Sequence, residues 1–264
     1  MTALVACGNQ VALEVGPGEA DDGGGKADGA EARAELKVTL EPTDIRRARY
    51  RLSLLNDQSQ QRSIWFFDTP ALTLLDAGLI LRAREIDGEE DDSTVKLRPF
   101  TLDDLSEEFR VLDDMKCELD RLPDTATPSC SLKIDQDEGE IASVARGERT
   151  LDKLYSSEQE ALFAAYGPAI GLDELATLGP IRARVWTLRS DELPEKVTAE
   201  LWYLADGSQT LELSMKVDAA DQDDGMADLL DFVEDRGLHL DKEQESKTRR
   251  ALELLIDATA IPRR

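Results

Sequence analysis

Short segments in which charged and aliphatic residues alternate dominate the chain. Arg33-Ala34-Glu35-Leu36-Lys37-Val38 is the clearest, and Leu211-Glu212-Leu213-Ser214-Met215-Lys216-Val217 is its late counterpart. Between them lie Leu81-Arg82-Ala83-Arg84, Val95-Lys96-Leu97-Arg98, Lys116-Cys117-Glu118-Leu119-Asp120 and Ile181-Arg182-Ala183-Arg184. Strand side chains alternate between faces, so each segment gathers its charges on one side and its aliphatic groups on the other. The pattern predicts strands near 33–40, 63–68, 79–86, 93–99, 110–120, 131–134, 178–189, 197–205 and 209–217, the last two joined by an Asp206-Gly207 hairpin turn.

Helices are predicted between these strands. Pro42-Thr43-Asp44 starts one, with Ile45, Ala48, Leu52 and Leu55 as its apolar stripe. Pro70 opens a short helix that Gly78 ends, and Ser156 caps one that runs to Tyr166. Two more, near 224–236 and 242–258, close the chain as cover for the sheet. Roughly eight strands, mostly antiparallel by their short connections, are interspersed with helices without a βαβ rhythm, so the class is α+β.

Net charge narrows the partners. The chain carries 56 acidic against 31 basic residues, a formal charge of −25. Nucleic-acid binding asks for a basic surface and is disfavoured. Any tight anion site must then be a local basic pocket inside an acidic shell. No run is long enough to span a membrane. Cys7, Cys117 and Cys130 form no C-x-x-C pair, which argues against a zinc site or a disulfide framework and for a reducing cytoplasm. Cys117 falls on the aliphatic side of its strand, as a packing residue. Residues 1–30 hold seven of the 17 glycines and read as a flexible acidic tail, leaving 31–264 as one domain with C-terminal helices. Asp22-Gly23-Gly24-Gly25-Lys26 is no phosphate loop, because Ala20 stands where its first glycine belongs.

The charged faces admit a plain reading, ordinary half-exposed strands with solvated charges. Three features argue for more. The cations are mostly arginines, which suit bidentate phosphate contact. They recur at spacing two in Arg82/Arg84, Lys96/Arg98 and Arg182/Arg184. Acids also recur on strands, as Glu35, Glu118, Asp120, Glu200 and Glu212. If the sheet closes into a barrel, these faces point inward, and burying so many ions is costly unless they are paired, hydrated or liganded. A water-filled tunnel holding a metal ion and a polyphosphate meets that condition. Other chemistry lacks support: His239 is the only histidine, and there is no G-x-S-x-G elbow. Trp202 shares the face of Glu200.

One block carries a family resemblance. Phe66-Phe67-Asp68-Thr69-Pro70-Ala71-Leu72, then Leu74-Leu75-Asp76-Ala77-Gly78-Leu79-Ile80-Leu81-Arg82-Ala83-Arg84, then Thr94-Val95-Lys96-Leu97-Arg98-Pro99 resembles the CYTH superfamily of triphosphate tunnel metalloenzymes. Leu211 to Lys216 and Gln244-Glu245-Ser246-Lys247-Thr248-Arg249 also look like longer bacterial members, so the likeness spans about 33–258. It implies an eight-stranded antiparallel β-barrel or tunnel with helices packed outside. It assigns Lys37, Arg82 and Arg84 to catalysis, and Lys96, Arg98, Arg182, Arg184 and Lys216 to substrate binding. Glu35, Glu118, Asp120, Glu200 and Glu212 become ligands for Mg²⁺ or Mn²⁺, hard cations that suit oxygen donors. The family's E-x-E-x-K opens here with Arg33 in place of the first glutamate, and Glu31 lies two residues earlier on the same face.

The expected function is metal-dependent hydrolysis of an inorganic or organic triphosphate. The alternatives are a non-catalytic polyphosphate- or nucleotide-binding module, an adenylate cyclase-type activity, and an acidic scaffold. The partner is then a triphosphate or polyphosphate small molecule, with neither nucleic acid nor membrane, and a homodimer is allowed.

Overall fold

The computed structural model describes residues 13–19, 33–244 and 246–260. Its strands and helices are β1 (Leu13–Pro17), β2 (Arg33–Thr39), α1 (Ile45–Arg51), β3 (Gln60–Asp68), α2 (Thr73–Asp76), β4 (Leu79–Ile86), β5 (Asp91–Leu97), α3 (Glu107–Arg110), β6 (Met115–Arg121), β7 (Ala126–Gln136), α4 (Glu140–Ala145), α5 (Ser157–Tyr166), β8 (Ala176–Ser190), β9 (Val197–Tyr203), β10 (Gln209–Asp218), α6 (Gln222–Glu234) and α7 (Lys247–Ala260). The strands run in the order β8-β3-β4-β5-β7-β6-β2-β10-β9, and β9 pairs back onto β8 to close a barrel.

The barrel departs from the expected eight antiparallel strands. It has nine, and β2 and β6 lie parallel, with Arg33 opposite Glu118 and Glu35 opposite Asp120. No hairpin joins these two, so nothing in their connection forces them antiparallel. A tenth strand, β1, lies outside the closed ring on the C-terminal half of β8, with Leu13 opposite Ser190 and Pro17 opposite Trp186. It falls within the stretch read as tail; Leu13 and Val15 supply the apolar contact, packing against the buried cluster beneath α6. The Gly-rich run with Lys26, Glu31 and Cys7 lie outside the described residues.

Helices cover the aliphatic faces. Ala34, Leu36 and Val38 of β2 and Leu213, Met215 and Val217 of β10 pack under Ala48 of α1 and Met226, Leu229 and Phe232 of α6. A Cβ on Gly225 would come within 3.0 Å of Leu36 Cδ1, so glycine is what lets α6 lie this close to the sheet. On another side, Leu81 and Ala83 of β4 and Val95 and Leu97 of β5 pack under Leu162 and Phe163 of α5 and Ile141 and Val144 of α4. Each fully buried leucine contributes roughly 1.5–3 kcal/mol by leaving water. With the aliphatic faces turned out to the helices, the charged faces of these strands must line the lumen.

One sector is inverted. Ile64 and Phe66 of β3, Ala183 of β8 and Trp202 of β9 are on the lumen face, and they pack against Ala251 and Leu252 of α7. The last helix, expected as outer cover, therefore fills one end of the barrel from within. The outer face of β8 beside β3 is polar there, with Arg182 exposed.

The block that carried the family likeness is largely architectural. Asp68 accepts hydrogen bonds from the backbone N–H groups of Thr69, Leu74 and Leu75 at 2.7, 2.9 and 3.0 Å, which satisfies the open donors at the start of α2. Gly78 has φ +79°, and a Cβ there would lie 2.4 Å from the Arg98 carbonyl oxygen. The Gly78 carbonyl accepts the Arg98 N–H at 2.7 Å, so glycine at this position fixes Arg98 against the start of β4.

A candidate anion and metal site in the barrel lumen

Strand register decides which charges meet. On β2, β6 and β10 the inward residues include Glu35 and Lys37, Glu118 and Asp120, and Glu212 and Lys216, with Lys216 opposite Glu35 and Glu35 opposite Asp120. From β5, Lys96 and the adjoining Arg98 reach the same place. Lys37 Nζ lies 2.6 Å from Glu35 Oε2 and 2.7 Å from Asp120 Oδ1. Asp120 Oδ2 lies 3.0 Å from Lys96 Nζ and 3.5 Å from Arg98 Nε, and Lys216 Nζ is 3.1 Å from Glu118 Oε2. The Asp120 side chain is fully buried. Burial by itself would raise its pKa, but Lys37, Lys96 and Arg98 outweigh that and hold it far below the usual carboxylate range. Burial likewise opposes the Lys37 charge, and Glu35, Asp120 and Glu212 reverse the effect, holding it well above an ordinary lysine.

This wall fits a hard cation. Glu35, Glu118 and Asp120 each turn one carboxylate oxygen to within 4.8 Å of the others. Asp120 Oδ2 is buried and accepts no hydrogen bond of good geometry, despite the cations near it. Three converging oxygens from three different residues, with no sulfur or imidazole, are the donor set of Mg²⁺, Mn²⁺ or Ca²⁺.

The expected five-carboxylate set does not assemble as one group. Glu200 and Glu212 face each other across β9 and β10, and the Lys247 ammonium of α7 sits between them. It is 2.7 Å from Glu212 Oε1, in direct contact with Glu200 Oε2, and 4.8 Å from the centre of the Trp202 ring. Burial pushes the Glu200 carboxyl up, and Lys247 and Arg62 more than cancel it, so Glu200 stays ionised far below its normal range. Arg33, at the position of the missing glutamate, pairs with Asp218 opposite it on β10 and donates to the Lys216 carbonyl at 3.3 Å. Its charge is thereby neutralised within the same rung of the barrel.

The guanidinium corner is different. Arg84 binds Asp92 through Nε at 3.0 Å and through Nη2. Arg82 donates only to Thr94 Oγ1 at 3.4 Å, and its buried Nε has no acceptor. Arg62, buried on β3, donates to Gln60 Oε1 at 2.8 and 2.6 Å. Among the described residues no carboxylate lies in ion-pair contact with Arg62 or Arg82. Burial, with Arg84 beside it, pushes the Arg82 guanidinium down to about 10. Burial and the Arg84 charge lower Arg62 as well. Arg62 and Arg82 thus lie beside Arg84 without a carboxylate in ion-pair contact among the described residues, an arrangement that a bound phosphate would complete.

The lumen gathers Lys37, Arg82, Arg84, Lys96, Arg98 and Lys216 as expected from their strands, and it excludes Arg182 and Arg184. Arg182 lies opposite Ser63 and Arg184 opposite Gln61, both on the outer face of the sheet. Arg184 donates to the Asn56 carbonyl at 3.1 Å and to Ser59 Oγ at 2.8 Å. Both arginines line an outer cleft of about 1420 Å³ that reaches Arg62 at the rim near the β4–β5 turn. Two lumen cations, Arg62 and Lys247, were missed. Arg62 is an isolated cation before an apolar run, and its one sequence signal is sharing the parity of Ile64 and Phe66. Lys247 lies in the stretch that resembles longer family members, but on a helix that reads as outer cover.

One smaller expectation also changes. Cys117 does lie on the aliphatic side, but directly opposite Cys130, and the two form a disulfide linking β6 and β7. Only the register reveals this, since the cysteines are 13 residues apart without a motif. His239 hydrogen-bonds the Asp44 carboxylate through Nδ1 at 2.7 Å on the surface, away from the lumen. Trp202 does face the lumen. No helix among the described residues is long and apolar enough to cross a membrane.

No protein-family profile and no curated protein sequence matches the chain. Solved structures do. A protein from Hippeastrum, named as an adenylyl cyclase with a dominant triphosphatase activity, superposes with a TM-score of 0.56 at 19% identity, covering 81% of this chain and 92% of its own. A protein from Bacillus halodurans, named as an adenylate cyclase, superposes at 0.58 with 13% identity, covering 83% of this chain and 97% of its own. At these identities the likeness is one of fold. The closed β-barrel is the fold these structures share with the chain, and it agrees with the barrel that the resemblance of residues 64–99 implied.

Proposed function

We propose that the lumen binds a linear triphosphate, inorganic or organic, and hydrolyses it with the help of one hard divalent cation. The observation that carries this reading is the guanidinium corner: among the described residues neither Arg62 nor Arg82 has a carboxylate in ion-pair contact, and the buried Arg82 Nε has no acceptor, in the interior of a chain of net charge −25. An acidic protein gains nothing in solubility from buried arginines, and their desolvation is offset only when an anion sits among them. The guanidiniums grip non-bridging phosphate oxygens bidentately. Lys37, Lys96, Arg98 and Lys216 turn from their carboxylates toward the rest of the chain. Those turns would leave Glu35, Glu118 and Asp120 to hold Mg²⁺ or Mn²⁺, which would supply counter-charge to phosphate oxygens. Positioning and electrostatics then provide most of the rate, because phosphoryl transfer asks little covalent chemistry of the protein.

Two other readings each have an observation in their favour. Arg33 in the place of a glutamate removes one acid from the metal wall, which favours a binding module without turnover. The cyclase names of the structural neighbours point to ring closure by a ribose hydroxyl on a nucleoside triphosphate. Calorimetric titration with tripolyphosphate, with and without Mg²⁺, paired with phosphate release in Mg²⁺ and Mn²⁺, separates them. Binding without release leaves the module, cyclic AMP formed from ATP establishes the cyclase, and absence of any binding ends all three.

A further inference from the structure

The expected metal ligands fall into two groups with different occupants. Glu35, Glu118 and Asp120 are faced by strand cations that have phosphate to turn to when a substrate arrives. Glu200 and Glu212 have a cation of their own. The Lys247 ammonium touches both carboxylates, its side chain is 12% exposed, and its charge lies over the Trp202 ring. It is held there by its helix, since Ala251 and Leu252 one turn later are packed against Ile64, Phe66 and Trp202. An ammonium centred between two carboxylates takes the position that a divalent ion would otherwise occupy and supplies one of its two positive charges.

We propose that Lys247 is a built-in replacement for a second metal ion, so that the lumen takes one divalent cation, at Glu35, Glu118 and Asp120, and not two. The proposal rests on the tunnel reading above but concerns a different pair of carboxylates. Two consequences separate it from a merely structural lysine. Removing the ammonium while keeping the hydrocarbon stem must create a metal site, not just weaken the fold. Removing one carboxylate in the same background must abolish that new site.

The experiment is Mn²⁺ counting on the full chain by equilibrium dialysis, with the same concentration of a non-hydrolysable triphosphate analogue in both compartments, so that metal held by the free analogue cancels. The wild type is expected to hold one Mn²⁺, Lys247→Met two, and Lys247→Met combined with Glu212→Gln one again. Two ions in the wild type, or no gain in Lys247→Met, overturns the proposal. The wild-type count separately tests the metal wall: none in the wild type with one in Lys247→Met leaves Lys247 as the replacement and removes Glu35, Glu118 and Asp120 as a site. If the methionine variant lacks the wild-type circular dichroism spectrum, Lys247→Gln is counted in its place under the same expectations.

Discussion

On the β2–β6–β10 side of the lumen, Lys37, Lys96, Arg98 and Lys216 meet Glu35, Glu118 and Asp120 at ion-pair distance. Across the barrel, Arg84 binds Asp92, while Arg62 and Arg82 have no carboxylate in ion-pair contact among the described residues. Both regions are buried charge on strands of one sheet, but they are in different states of balance. In the first, every cation has a carboxylate at ion-pair distance, and those contacts contribute to the fold until the cations exchange partners. In the second, Arg62 and Arg82 lack such a carboxylate among the described residues, and their desolvation is carried by the rest of the protein. The comparison teaches that charge balance, more than the number of charges, separates structural ion pairs from a binding surface.

Acidification tests the ionised carboxylates of both sides and of the Lys247 pair together. Glu35, Asp92, Asp120 and Glu200 all have lowered pKa values in the folded protein. A carboxylate with a lowered folded-state pKa stabilises the fold above its unfolded value and loses that stabilisation as pH falls toward the folded value. Unfolded carboxyls titrate near 4, so the melting temperature should hold from neutrality to about pH 5 and then drop steeply below it. A flat profile down to about pH 3 would show that these pairs contribute nothing. Removing one partner comes next. Asp120→Asn strands Lys37, Lys96 and Arg98 around a neutral group, with an expected loss of about 3 kcal/mol in urea unfolding.

Arg82→Ala should behave in the opposite way. It removes an unmatched buried charge, so the urea midpoint should stay or rise, while tripolyphosphate affinity falls by roughly 30-fold, about 2 kcal/mol. If Arg82→Ala destabilises as much as Asp120→Asn, the two regions are not different in kind. The smallest effect is expected at Arg182→Ala, on the outer face: unchanged affinity and less than about 0.5 kcal/mol in stability. An affinity loss there equal to that of Arg82→Ala would place β8 the other way round.

Much of this was legible in the sequence, and the exceptions have physical causes. Alternation in 33–38, 81–84, 95–98 and 211–217 divides each strand into two faces correctly. It does not say which face is the lumen. Where α1, α4, α5 and α6 cover the barrel, aliphatic groups face out and charges face in. On β8 the cover is α7, on the inside, so Ala183 faces in and Arg182 and Arg184 face out. The R-x-R pattern of 182–184 equals that of 82–84, and only the position of a distant helix distinguishes them. The same helix hid Lys247. Arg62 stood alone, without the i, i+2 partner that marked the others. The closure of β2 on β6, and with it the meeting of Glu35, Glu118 and Asp120, is a pairing between strands remote in sequence, which no local pattern encodes.

The position of α7 also governs traffic. With one end of the barrel filled by a helix, anything that reaches the arginines must come and go through the opposite opening. A phosphate chain longer than the lumen cannot be threaded through; its far end must hang outside. If the lumen hydrolyses phosphate chains as proposed, such a chain is shortened from its leading tip, and each released piece leaves by that opening before the next length advances.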